Sequence, residues 1–318
     1  MPPSERQIAT VRGMRAFSSR GRIIEGLGSG ETGVQTRRFC DVLGREVTVP
    51  HPPRRIVSLI PSVTEICFAL GAGDRVVGVT RFCTEPPAGV AGKARVGGEK
   101  NPDLSLIRRL QPDLVIANVE ENRKPDVEAL AASGIPVYVI YPRTVDEGVG
   151  LLRNLGELLG DPAAGEALAA RVEAALEEVE GLRAGQAPVR VFCPIWKNPW
   201  MACNRDTYVH DVLVTCGGEN ITAERPERYP RVTLEEVAAA APEVILLPDE
   251  PFRFGPKHIP LFHAFPAMPA VRAGRVRCID GKWLSWYGPR MAEALPALTR
   301  VILGDPGAPG GRMAGTRS

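Results

Sequence analysis

The segment LSLIRRLQPDLVIA (104–117) aligns without gaps on LEEVAAAAPEVILL (234–247), at a constant offset of 130 residues. Leu104 faces Leu234, Ile107 faces Val237, Pro112 faces Pro242 and Asp113 faces Glu243. Each copy reads as apolar residues at helical spacing, then a proline, an acid and a compact apolar run of strand type. Between the copies lies AAGEALAARVEAALEEVEGLRAG (163–185), with helical apolar spacing, Ala/Glu/Leu richness and a terminal Gly185. Twenty helical residues span about 30 Å. The combination predicts two similar lobes joined by one long helix. The competing reading is that any helix–turn–strand unit reproduces such a pattern.

The rest of the chain alternates in the same way. RIVSLI (55–60), RVVGVT (75–80), PDLVIAN (112–118) and IPVYVIY (135–141) read as strands, with helices between them. In PSVTEICFALGAG, Ser62 and Glu65 have capping-box spacing and Gly71 is a stop signal. Helices are also predicted over 103–111, 125–133 and 144–159. A second set follows: strands in PVRVFCPI, EVILLPD and RVRCID, and helices in TYVHDVLVTCGG, VTLEEVAAAA and MAEALPALTRVIL, the last interrupted or kinked at Pro296. REVTVP reads as a short edge strand. Alternation of this kind predicts an α/β fold with mostly parallel sheets. The expected division is a disordered tail 1–38, a first α/β lobe 39–160, a connecting helix 161–185, a second lobe 186–304 and a disordered tail 305–318.

Composition narrows the function classes. A net charge of +2, with 24% charged residues, gives no basic footprint for nucleic acid. The seven cysteines are odd in number and contain no C-x-x-C pair, which argues against a disulfide framework or a zinc ribbon. Residues 1–38 hold seven arginines and no apolar h-region, so they do not read as a Sec signal peptide. That leaves a cytosolic location, or a start site placed wrongly relative to an export signal. GSGETG (28–33) matches G-x-G-x-x-G, but His51-Pro52-Pro53 follows soon after and forbids the helix a dinucleotide site needs. A flexible linker is the simpler reading.

All four tryptophans fall in two short segments, IWKNPW (195–200) and GKWLSWYGPR (281–290). Both follow strands of the second half. Ligands of α/β proteins bind on loops at strand ends. Trp196, Trp200, Trp283, Trp286 and Tyr287 are therefore candidates for one aromatic cleft, each ring able to bury ~150–250 Å². Core packing is the alternative for each. Lys197, Arg205 and Arg290 are candidates for ligand carboxylates or phosphate, with surface solvation as their alternative.

PPRRIVSLIPSVTEICFALGAGDRVVGVT, VGGEKNPDLSLIRRLQPDLVIA, DTYVHDVLVTCGGENI and DGKWLSWYGPR occur in this order over most of the chain. Together they resemble the ABC-transporter substrate-binding proteins in which one rigid helix joins two lobes (the class III periplasmic binding protein design), and within them the cobalamin-binding branch. The resemblance implies a monomeric, non-enzymatic binder of a small-molecule metal chelate. Cobalamin or a related corrinoid is the implied ligand, with haem or a ferric siderophore as alternatives. It implies delivery to an ABC permease and an extracytoplasmic location; a cytoplasmic carrier without a permease is the alternative. It brings Phe82 to an aromatic cleft position and Ser62, Thr64 and Glu65 to the cleft mouth. Glu99 stands where that branch has a tryptophan, so one face of the site is expected to differ. Glu235 matches a permease-docking glutamate, while its repeat partner is Ser105, leaving Asp103 as a neighbouring substitute.

The four histidines lack ligand-pair spacing, so no metal site of protein ligands is expected. His258, in EPFRFGPKHIP, is the best candidate for an axial ligand to a bound macrocycle. No G-x-S-x-G, P-loop or H-E-x-x-H occurs, and a chelatase-type enzyme is the remaining catalytic alternative.

Overall fold

The computed structural model describes residues 23–29 and 35–304. Strands β1 (Ile23–Ser29), β2 (Gln35–Cys40) and β3 (Glu46–Pro50) form an antiparallel sheet with β2 in the centre and β3 at an edge. This corrects the tail reading of 1–38. Thr36, Arg37 and Arg38 pair with Pro50, Val49 and Thr48, because alternate residues Val47 and Val49, with Phe39, bury against the first-lobe core. The disorder expected for 1–22, 30–34 and 305–318, and most of GSGETG, lies outside the described residues.

The first lobe runs β4 (Ile56–Ser58), α1 (Pro61–Ala69), β5 (Val76–Val79), α2 (Pro87–Val90), β6 (Ala94–Arg95), α3 (Leu104–Arg109), β7 (Leu114–Asn118), α4 (Lys124–Ala132), β8 (Val137–Ile140) and α5 (Val145–Leu159). After α6 (Pro162–Arg183) the second lobe runs β9 (Val189–Phe192), α7 (Tyr208–Thr215), β10 (Gly218–Asn220), α8 (Leu234–Ala239), β11 (Val244–Pro248), α9 (Pro269–Arg272), β12 (Val276–Ile279), α10 (Lys282–Ser285) and α11 (Met291–Leu303). Both sheets are parallel, in the orders β6-β5-β4-β7-β8 and β10-β9-β11-β12. Four strands of the first order match the whole of the second. Every residue of β4, β7, β8 and β11 is buried, as parallel strands covered on both faces require.

The repeat is structural. α3 and α8, and β7 and β11, have equal lengths and keep the offset of 130. Gln111 and Ala241 both turn the chain with positive φ (46° and 47°) before Pro112 and Pro242. The acids that follow do the same work. The Asp113 carboxylate accepts the Arg55 N–H at 2.8 Å, and the Glu243 carboxylate accepts the Arg190 N–H at 3.0 Å. Each ties a turn to the first strand of its own lobe.

Helix α6 buries Gly165, Leu168, Ala169, Val172, Ala175 and Val179, a single stripe at three- and four-residue spacing. It packs on α5 on one side and α11 on the other. Gly156 of α5 and Gly165 of α6 meet backbone to backbone: a Cβ on Gly156 would lie 2.7 Å from the Gly165 Cα. Two sequence expectations are corrected. Helix α1 starts at Pro61 with Ile60 as its unbonded cap, so Ser62 and Glu65 form no capping box; proline at the first helical position starts the helix ahead of Ser62. Of the two outcomes expected at Pro296, interruption is the one excluded: helix α11 runs through this buried residue.

Candidate functional site

Parallel sheets open a crevice beyond the carboxyl ends of their strands, where adjacent connections leave towards opposite faces. That point lies between β4 and β7 in the first lobe and between β9 and β11 in the second. The loops at these ends meet across one cleft. Asn118, the last residue of β7, donates from Nδ2 to the Tyr287 hydroxyl at 3.0 Å, and Tyr287 is also hydrogen-bonded to Ser62. The Glu65 carboxylate accepts from Arg290 at 2.6 Å, and Glu85 from Lys282 at 2.6 Å. Glu120 accepts from Arg228 at 3.1 Å and from the Tyr229 hydroxyl. Polar contacts thus join the lobes at several points.

The open aromatic surface is smaller than the tryptophan count predicts. Phe82 is 47% exposed, with the Arg81 guanidinium 4.8 Å from its centroid. Trp196 is half-buried and meets Phe252 edge-on at 5.6 Å. Lys197, also half-buried, holds its ammonium 6.0 Å from the Trp200 ring. Trp200 stacks on Phe254 at 5.7 Å and touches Phe262, so it packs on the second-lobe core. Trp283 packs on the main core, and Trp286 and Tyr287 are each only 6% exposed.

Residues 56–282 match the family described as periplasmic binding protein. The chain belongs to this family. The vitamin B12-binding protein of Vibrio cholerae is 29% identical over 247 residues, covering 77% of this chain and 88% of that one. Among solved structures, the periplasmic vitamin B12-binding protein BtuF of Vibrio cholerae superposes with a TM-score of 0.71 at 27% identity, covering 79% of this chain and 97% of that one. The periplasmic haem-binding protein RhuT of Roseiflexus sp. RS-1, in apo form, gives 0.70 at 29% identity, covering 79% and 98%. Like the rest of its family, this periplasmic binding protein has a substrate-binding role and is not an enzyme. Its fold is that of the class III members.

Within the family framework, several expected site residues do other work. Thr64 is fully buried, its Oγ1 bonded among Ser58, the Ile60 carbonyl and the Cys83 thiol, so it supports the cleft floor from behind. Arg205 is exposed and pairs with Glu224 on the outer surface. His258 is buried between Phe252 and Phe254, and its Nδ1 accepts the Gly255 N–H at 3.0 Å. That bond and packing make it a staple of its own loop. Glu235 and Ser105 are both exposed in the first turns of α8 and α3, at equivalent places on the two lobes. Asp103 caps α3 through the Leu106 N–H at 2.9 Å. Among the described residues, no group of three or more His, Cys, Asp or Glu is placed to hold a metal ion, and no helix is long and apolar enough to cross a membrane.

The carboxylates of the cleft were the least legible part. Burial, with Glu121 next in weight, pushes the Glu99 carboxyl up to about 8. Burial also raises Glu121 and Glu250, and it raises Glu65 despite the opposing Arg290 charge. Glu250 accepts from the Ser285 hydroxyl at 2.7 Å and is hydrogen-bonded to Trp286. One signal was available. Extending the 130-residue offset past the strands pairs Glu120 with Glu250, two residues beyond β7 and β11.

Proposed function

We propose that the cleft binds cobalamin or a related corrinoid and that the protein delivers it to an ABC importer from an extracytoplasmic location, as a monomer. The observation that carries this reading is the placing of the Phe82 and Trp196 rings, one from each lobe, on loops at the carboxyl ends of the two sheets. Flat macrocycles suit aromatic walls on two sides. The likeness to vitamin B12-binding proteins supports the corrinoid choice. Haem and ferric siderophores are the alternatives, haem being supported by the likeness to RhuT. The lobes are taken as 39–160 and 186–304, with 161–185 between them. Lys197 and Glu99 are proposed as polar contacts of the ligand. Glu235 is proposed to dock on the permease, with Ser105 leaving the first lobe uncharged there.

The test is a tryptophan-fluorescence titration with cyanocobalamin, dicyanocobinamide, haemin and a ferric siderophore, corrected for ligand absorbance. Saturable quenching by a corrinoid that is lost in Trp196→Ala supports the reading. Saturation by haemin or the siderophore alone replaces the ligand class, and saturation by none overturns it.

A further inference from the structure

Three ion pairs join the lobes. Lys282 Nζ lies 2.6 Å from Glu85 Oε1, Arg290 Nη2 lies 2.6 Å from Glu65 Oε1, and Arg228 Nε lies 3.1 Å from Glu120 Oε1. In each, the acid comes from the first lobe and the base from the second. Among the described ion pairs, these are the only three in which neither side chain is more than 30% exposed. Two of the bases share a ring. Lys282 Nζ and Arg290 Cζ each lie 5.2 Å from the Trp286 centroid, and Trp286 is hydrogen-bonded to Glu250.

We propose that these pairs, two of them tied together through Trp286, form a latch that holds the lobes closed, so that lobe opening is the salt-sensitive step of ligand entry. Pairs within a lobe survive opening, whereas these are broken by it. Once the walls separate, the three first-lobe acids and the three second-lobe bases lose these partners. On separation both partners regain water, so each pair biases closure modestly and the three act together. Trp286 keeps Lys282 and Arg290 in place on the second lobe while the first lobe moves, since a cation over an indole face is held by the ring quadrupole. The inference goes beyond the corrinoid reading and does not depend on it.

The test uses the full chain without ligand. Glu65→Gln, Glu85→Gln and Glu120→Gln are combined, and opening is followed by X-ray scattering, acrylamide quenching of tryptophan and hydrogen exchange in 281–290. Loss of the three pairs is expected to raise the open-to-closed ratio about tenfold. Wild type is expected to move the same way as salt rises to about 1 M, where the screening length is roughly 3 Å, and the triple variant is expected not to respond. The exchanged pair Glu85→Lys with Lys282→Glu is expected to restore wild-type quenching relative to Glu85→Lys alone. Equal dimensions and quenching for wild type and triple variant, or a salt response that persists in the triple variant, overturns the latch.

Discussion

The two lobes share a strand order and a turn geometry, yet they line the cleft with different side chains. The first lobe presents Glu65, Glu85, Glu99, Glu120 and Glu121 with the exposed ring of Phe82 and the Arg81 guanidinium over it. The second presents Lys197, Arg228, Lys282 and Arg290 among Trp196, Phe252 and Trp286. The repeat-related pair Glu120 and Glu250 shows how the walls diverged. Glu120 reaches across to Arg228 and Tyr229, whereas Glu250 turns back to Ser285 and Trp286 of its own lobe. Core packing restrains strands and their turns, because buried backbone groups must be paired and apolar volume must be filled. Loops at strand ends carry no such restraint, so two copies of one architecture are free to line one cleft asymmetrically.

The largest test of this contrast separates the buried rings of the 281–290 segment from rings that line the cleft. Trp286→Ala and Tyr287→Ala are each expected to destabilise the protein by about 3–5 kcal/mol in denaturant unfolding. Trp196→Ala, on a half-buried ring, is expected to cost about 1 kcal/mol while weakening ligand binding. Equal losses for Trp196 and Trp286 would erase the distinction.

A narrower probe removes one atom. Tyr287→Phe leaves the Asn118 amide and the Ser62 hydroxyl without their shared partner in a buried joint, an expected cost of about 1–3 kcal/mol. Pairing it with Asn118→Ala in a double-mutant cycle should show strong non-additivity. Additive losses would mean that the lobes do not communicate through this bond.

The acidic wall makes a pH-dependent prediction. Glu99 is raised from 4.5 to about 8. Its favourable contribution is full below the unfolded value, where both states hold the proton. It is lost as pH rises through about 8, where the folded state must ionise too. Glu99→Gln removes this dependence. The variant is expected to gain about 1–2 kcal/mol on wild type between about pH 5 and pH 9, allowing for solvent relaxation around a half-buried group. Parallel curves of Tm against pH would place Glu99 in water. The smallest effect belongs to the outer surface: Arg205→Ala should change stability by about 0.5 kcal/mol or less, because its pair with Glu224 is exposed.

The architecture was legible because its signals are periodic. Residues 104–117 and 234–247 carry helix, turn, acid and buried strand in one register, and the structure keeps that register to the residue. Short elements without a period were not: β6 has two residues and β10 three. The site was legible only by segment. Both tryptophan segments do sit at the ends of second-lobe strands, but Trp286 and Trp200 turn inward: Trp286 lies among Lys282 and Arg290 of its own segment, and Trp200 stacks on Phe254, 54 residues away in sequence. Glu85 and Lys282 likewise become partners only when two sheets meet, across 197 residues of chain.

The buried stripe of α6 also has a consequence for the order of synthesis. Leu168, Val172 and Val179 share a core with Leu295, Leu298 and Ile302, which lie more than a hundred residues later in the chain. When α6 leaves the ribosome, the α5 side of its stripe is covered at once and the α11 side is not. At about 5–20 residues per second, a strip of apolar surface stays uncovered for several seconds or longer. A chain cut before Met291 is therefore expected to aggregate where the whole chain does not.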